Sequence, residues 1–304
     1  MIEAENLSKH YGPKVAVDGI SFRVEPGTVT GFLGPNGAGK STTMRMIMGL
    51  DAPTSGRVTV NGKPYAKHAA PLHEVGALLE AKAVHTGRSA RNHLRALAAT
   101  HGMPSKRVDE VIEMTGLSAV ANKRVGGFSL GMGQRLGIAA AMLGDPRTLI
   151  LDEPVNGLDP EGVKWVRTMV RYLADDGRTV FLSSHLMSEM AITADQLIVI
   201  GRGKIITSGP VQSVIDATAG TSVTVRTPRA SELAELLVSD GVSISASEPG
   251  LLAVRGVESS VIGETAARHG IAMPIAEAVA GLAEGRAGVA ETMETLMSRP
   301  LKEE

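Results

Sequence analysis

The 304-residue sequence predicts an α/β protein: a core with a mixed β-sheet and a helical subdomain, then a small α+β C-terminal domain. Three observations carry this. "VTGFL" (29–33) is a short β-branched and aromatic run of buried-strand type, and a glycine-rich loop joins it to "KSTTMRMIMGL", whose apolar residues recur at helical spacing until Gly49. A second apolar run, "TLIL", ends directly on two acids. From about residue 220 the pattern changes to short strand-like and helix-like segments in the order β-α-β-β-α.

Composition narrows the classes. With 43% apolar residues the chain can bury a sizeable core. A formal net charge of -1 gives no general attraction to nucleic acid or to an anionic membrane, so neither is an expected partner. The absence of cysteine excludes disulfides, thiolate metal sites and cysteine nucleophiles. "MIEAENLSKHYG" does not read as a secretory leader, and the apolar runs fall short of the ~20 residues a membrane span needs. If the protein works at a membrane, another molecule must hold it there.

In chain order, "AVDGISFRVEPGTVTGF" and "SGRVTVNGKPY" alternate and turn like an antiparallel β part beside the core. Between them, Gly34, Pro35, Asn36, Gly37, Ala38, Gly39, Lys40, Ser41 and Thr42 contain G-x-x-x-x-G-K-[ST], which makes the core a P-loop NTPase. Glycines let successive N–H groups turn inward around an anion, and the next helix offers its free N–H groups to the same phosphates. Lys40 then bridges the β- and γ-phosphates, and Ser41 presents its hydroxyl to Mg²⁺. The alternative is a glycine turn that only caps a helix; the flanking strand and helix favour phosphate.

The second strand ends in Asp152 and Glu153. Asp152 suits a Mg²⁺ held through its water shell, and Glu153 suits the base that deprotonates an attacking water. In "GGFSLGMGQRLGIAAAMLGDP", Ser129 stands at the entry of an apolar helix with Gly131 behind it. That is N-cap chemistry, and it is also a second anion site lacking a lysine. His185 follows the strand-like "TVFLSS", at the strand ends where parallel sheets gather ligands. A histidine there serves structure or contacts a γ-phosphate.

With these residues in place the chain resembles the ATP-binding subunits of ABC transporters over residues 1 to about 215. Tyr11 matches the aromatic that stacks on adenine, "GPNGAGKST" the Walker A loop and "LILDEP" the Walker B strand. "FSLGMGQ" stands at the signature, "NGLD" with Asp159 at the D-loop, and His185 at the switch histidine. The resemblance implies a head-to-tail homodimer in which Ser129 and Gly131 of one copy cover the γ-phosphate held by Lys40 of the other. It further implies separate transmembrane permease subunits, and so a cytoplasmic protein held peripherally at the inner face of the membrane. Leu130 and Met132 depart from the signature, and Glu80 in "VGALLEAKAV" replaces the Q-loop glutamine, where it would still face Mg²⁺. Both departures resemble the bacterial bacitracin, lantibiotic and daunorubicin resistance branch, which implies drug or antibiotic export.

A soluble ABC ATPase without a transport role is the competing reading. Such factors carry two cassettes with a charged linker, or a long coiled-coil insertion, and neither is present. A P-loop GTPase would need N-K-x-D, which the sequence lacks. Organisation follows: a nucleotide-binding domain over 1–218 with its helical subdomain at about 85–145, then an accessory domain over 219–304. The latter reads as a packing or dimer-stabilising module, or as a regulatory one. Its alanine- and glutamate-rich tail, 276–299, is helical in pattern and is expected to be weakly ordered.

Overall fold

A computed structural model describes residues 1–79, 84–218, 223–238, 242–248, 250–255, 257 and 259–271. The chain divides into two compact units, Met1–Val214 and Ile215–Glu304. Glu80 and the tail over 276–299 lie outside the described residues.

The first unit begins with β1 (Ile2–Tyr11), β2 (Lys14–Val24), β3 (Val29–Leu33), α1 (Lys40–Ile47), β4 (Ser55–Val60), α2 (Pro71–Glu74) and β5 (Val75–Leu78). The helical part, α3 (Ala90–Thr100), α4 (Ser105–Met114) and α5 (Leu130–Met142), precedes β6 (Thr148–Leu151). Next come α6 (Pro160–Asp175), β7 (Thr179–Ser184), α7 (Met187–Thr193), β8 (Gln196–Gly201) and β9 (Lys204–Pro210), and the boundary between the units falls within α8 (Val211–Thr218). Six strands form one sheet in the order β5-β6-β7-β3-β8-β9. It is parallel from β5 to β8, and β9 pairs antiparallel with β8. A separate antiparallel sheet has the order β2-β1-β4.

Alternation along the central strands divides the core. Leu149 and Leu151 of β6, and Val180 and Leu182 of β7, join the cluster formed with α3 to α7. Ile150, Phe181 and Phe32 point the other way, into the cluster built with α1 and the antiparallel sheet. Both faces are covered, so β3, β6 and β7 are buried at every position. Phe22, Phe32 and Phe181 meet there with ring centroids 5.2 to 5.9 Å apart.

Strand β1 has no counterpart in the sequence reading. Its inward residues are Ile2, Ala4 and then Leu7, because the register shifts between Ala4 and Leu7 where Asn6 takes a φ of 47°. The bulge breaks the period of two that would have marked a strand.

The second unit holds β10 (Val223–Arg226), α9 (Ala230–Leu237), β11 (Ser243–Glu248), β12 (Leu251–Arg255) and α10 (Ser259–Arg268). This is the β-α-β-β-α order that the sequence pattern predicts. The antiparallel sheet runs β10-β12-β11, and Val225, Leu233, Leu252, Val254 and Ile262 form its core.

Candidate nucleotide site

The register brings three strand ends to one edge of the large sheet, with Leu33 beside Ser184 and Leu151 beside Leu182. The loops after β3, β6 and β7 therefore leave together, and they carry the glycine loop, the two acids and His185. A cavity of about 230 Å³ opens there, lined by Tyr11, Lys14, Asn36, Gly37, Lys40, Ser41, Thr42 and Glu153 among others.

Two glycines are required by space. A Cβ on Gly34 would lie 2.3 Å from the Ile200 carbonyl oxygen, and one on Gly39, at φ +111°, would lie 2.6 Å from that of Ala16. Ala38 is buried, and Pro35 accepts a hydrogen bond from its N–H at 3.1 Å. No side chain caps α1, so its opening N–H groups are left to an anion. Lys40 is 5% exposed, and its Nζ donates to the Gly34 and Pro35 carbonyls at 2.6 and 3.3 Å. The same ammonium lies 3.2 Å from Glu153 Oε1.

Glu153 is the junction of the site. Its Oε1 is buried and meets the Lys40 ammonium as an ion pair outside hydrogen-bond geometry, while Oε2 lies 2.9 Å from His185 Nδ1. A carboxylate can only accept, so Nδ1 is the donor. The backbone of Glu153 takes a φ of 48°, uncommon for a residue with a Cβ. Two side chains hold it there: Ser183 Oγ accepts from its N–H at 2.9 Å, and Gln134 Nε2 donates to its carbonyl at 3.1 Å. Ser183 Oγ also donates to Asp152 Oδ1 at 2.5 Å. One buried hydroxyl thus orients both acids. Neither Ser183 nor Gln134 was singled out from the sequence, because their role lies in contacts between strand and helix that spacing along the chain does not record.

Other candidates lie away from the cavity. Ser129 caps α5 by accepting from Met132 N–H at 3.2 Å, and Asp159 caps α6 by accepting from Gly162 N–H at 2.8 Å. Neither they nor Gly131 line the cavity. Leu130 packs over Gly157: a Cβ there would lie 2.1 Å from Leu130 Cδ2. Among the described residues no three acids or histidines converge to hold a metal. The donors present, one hydroxyl on Ser41 and one carboxylate on Asp152, suit Mg²⁺ completed by phosphate oxygens and water. Among the described residues no helix is long and apolar enough to cross a membrane.

The ABC transporter family model matches residues 17–156, and a model described as a domain of unknown function matches residues 221–274. The bacitracin transport ATP-binding protein of Bacillus licheniformis is 42% identical over 213 residues, 69% of this chain and 70% of that protein. A lantibiotic transport ATP-binding protein of Streptococcus pyogenes is 35% identical over 206 residues, 68% of this chain and 89% of its own length. A solved ATP-binding subunit of an ABC transporter superposes with a TM-score of 0.65 at 25% identity, covering 72% of this chain and 93% of that one. The chain belongs to the ATP-binding subunits of ABC transporters and is an ATPase.

Proposed function

We propose that two copies of this chain close head to tail around two ATP molecules and drive a drug or antibiotic exporter formed by separate permease subunits. The observation that carries the reading is the line Lys40–Glu153–His185 at the mouth of the glycine loop. When the triphosphate enters, Lys40 leaves the Gly34 carbonyl and Glu153 for the phosphates, which frees the carboxylate. Glu153 then takes a proton from water as the water oxygen bonds to the γ-phosphorus and the bond to the β,γ-bridging oxygen breaks, giving ADP and inorganic phosphate. His185 holds Oε2, so the carboxylate turns its other oxygen to the water. Mg²⁺, held by Ser41 and Asp152, would neutralise charge on the phosphate oxygens.

Ser129 and Gly131 of the opposite copy supply the hydroxyl and N–H contacts that close the γ-phosphate, and Asp159 lies at the seam. Residues 219–304 are an accessory module of the assembly, and the permease holds the cassette at the inner face of the membrane. The export reading rests on likeness to the bacitracin and lantibiotic relatives. In the test, Lys40→Ala loses most ATP affinity, while Glu153→Gln binds ATP and loses turnover by about 10²–10⁴-fold. Unchanged affinity in the first, or unchanged turnover in the second, contradicts the assignment.

A further inference from the structure

Tyr11, the last residue of β1, is 46% exposed and lines the cavity, yet it is tethered. Its phenol donates to Asp51 Oδ2 at 2.8 Å. Asp51 in turn accepts from Arg45 Nε at 2.8 Å and from a second guanidinium nitrogen at 3.1 Å. The ring is bounded on one face by Lys9, whose Nζ lies 5.0 Å from the centroid and donates to the Ala52 carbonyl at 2.6 Å. Both tethers of the β1 end therefore run to residues 51 and 52, just past α1.

That location links two halves of a nucleotide site. Helix α1 starts at Lys40, against the glycine loop, and carries Arg45 in its last turn. Leu50 N–H donates back to the Arg45 carbonyl at 2.9 Å, so the segment bearing Asp51 is folded onto the helix end. Arg45 holds the Asp51 carboxyl down to about 2, so the acceptor stays ionised at neutral pH, and the bond to it raises the Tyr11 phenol above its ordinary value. An exposed aromatic ring otherwise samples several rotamers, and ordering it on binding costs affinity.

We infer that Asp51, latched by Arg45, is a positioning residue for the base: it fixes the Tyr11 ring as a preformed platform on the face that Lys9 leaves open. The inference rests on Tyr11 being the adenine platform. Selectivity for a nucleotide carrying a stackable base, over bare polyphosphate, is then set from the far end of the phosphate-binding helix.

The experiment measures equilibrium binding of ATP and of inorganic tripolyphosphate to the full chain. Its variants are Tyr11→Ala, Tyr11→Phe, Asp51→Ala, Asp51→Asn and the double variant Tyr11→Phe with Asp51→Ala. Asp51→Ala weakens ATP about two- to tenfold, the usual range for one hydrogen bond, and leaves tripolyphosphate unchanged. In the Tyr11→Phe background, where the hydroxyl is already gone, Asp51→Ala adds no further loss. Asp51→Asn keeps an acceptor oxygen and retains most of the ATP affinity, while Tyr11 ionises at lower pH. Equal loss for tripolyphosphate, or an undiminished loss in the Tyr11→Phe background, overturns the clamp, since Asp51 would then act on α1 alone. No loss of ATP affinity in Asp51→Ala also overturns it. Tyr11→Ala separates the two ideas: if it leaves ATP affinity intact the platform itself fails, and if only Asp51→Ala is silent the clamp alone fails.

Discussion

Glu153 occupies left-handed backbone space between a buried strand and a turn, and Ser183 with Gln134 keeps it there. Removing that hydroxyl leaves Asp152 without its 2.5 Å donor and the Glu153 N–H without an acceptor. Ser183→Ala is expected to lower ATP turnover about ten- to a hundredfold, the worth of one hydrogen bond to a charged group, with ATP affinity largely kept. Ser183→Thr should restore much of it; steady-state kinetics beside equilibrium binding checks both. The Arg45–Asp51 latch has its own pH signature. The Asp51 carboxyl is depressed from 3.8 to about 2. The unfolded chain thus binds the extra proton first as pH falls, and the stabilisation, complete above about pH 4, is lost on the way down to about 2. Chemical denaturation of Asp51→Asn should differ from the parent at neutral pH and converge with it across that window. These residues escaped the sequence reading for one reason. Lys40 and Ser41 close one local motif and Asp152 and Glu153 another, whereas Ser183 is 31 positions from Asp152 and Asp51 is 40 from Tyr11.

At the scale of elements, strands β3, β6 and β7 were legible because burial on both faces leaves unbroken apolar runs such as "TLIL". Helix α5 was marked at its start by Ser129, whereas α6, which Asp159 caps before a proline, was not read from the sequence. Strand β1 was not legible, since its bulge at Asn6 shifts the apolar phase. The packing between elements was not legible either. Gly76 in β5 approaches α5 so closely that a Cβ would lie 2.0 Å from the Ala141 carbonyl oxygen. Gly76→Ala must push strand and helix apart, and a loss of about 1–3 kcal/mol in denaturant unfolding is expected. Phe181 is fully buried against Phe22 and Phe32. Phe181→Ala should cost about 3–5 kcal/mol by the same assay.

For the whole molecule, one chain holds only half of each proposed site. Lys40 and Glu153 line the cavity, with His185 and, through Ser183, Asp152 hydrogen-bonded behind Glu153, while Ser129 and Gly131 stand apart at the start of α5 and line no part of it. That separation is what a second copy would resolve. The measurement that tests it most directly is the solution mass of Glu153→Gln by light scattering, with Mg·ATP and again with ADP. A dimer is expected with Mg·ATP and a monomer with ADP, and Ser129→Ala in the same background is expected to abolish the dimer. A Glu153→Gln protein that binds ATP yet stays monomeric, both alone and with its permease, would contradict the shared site.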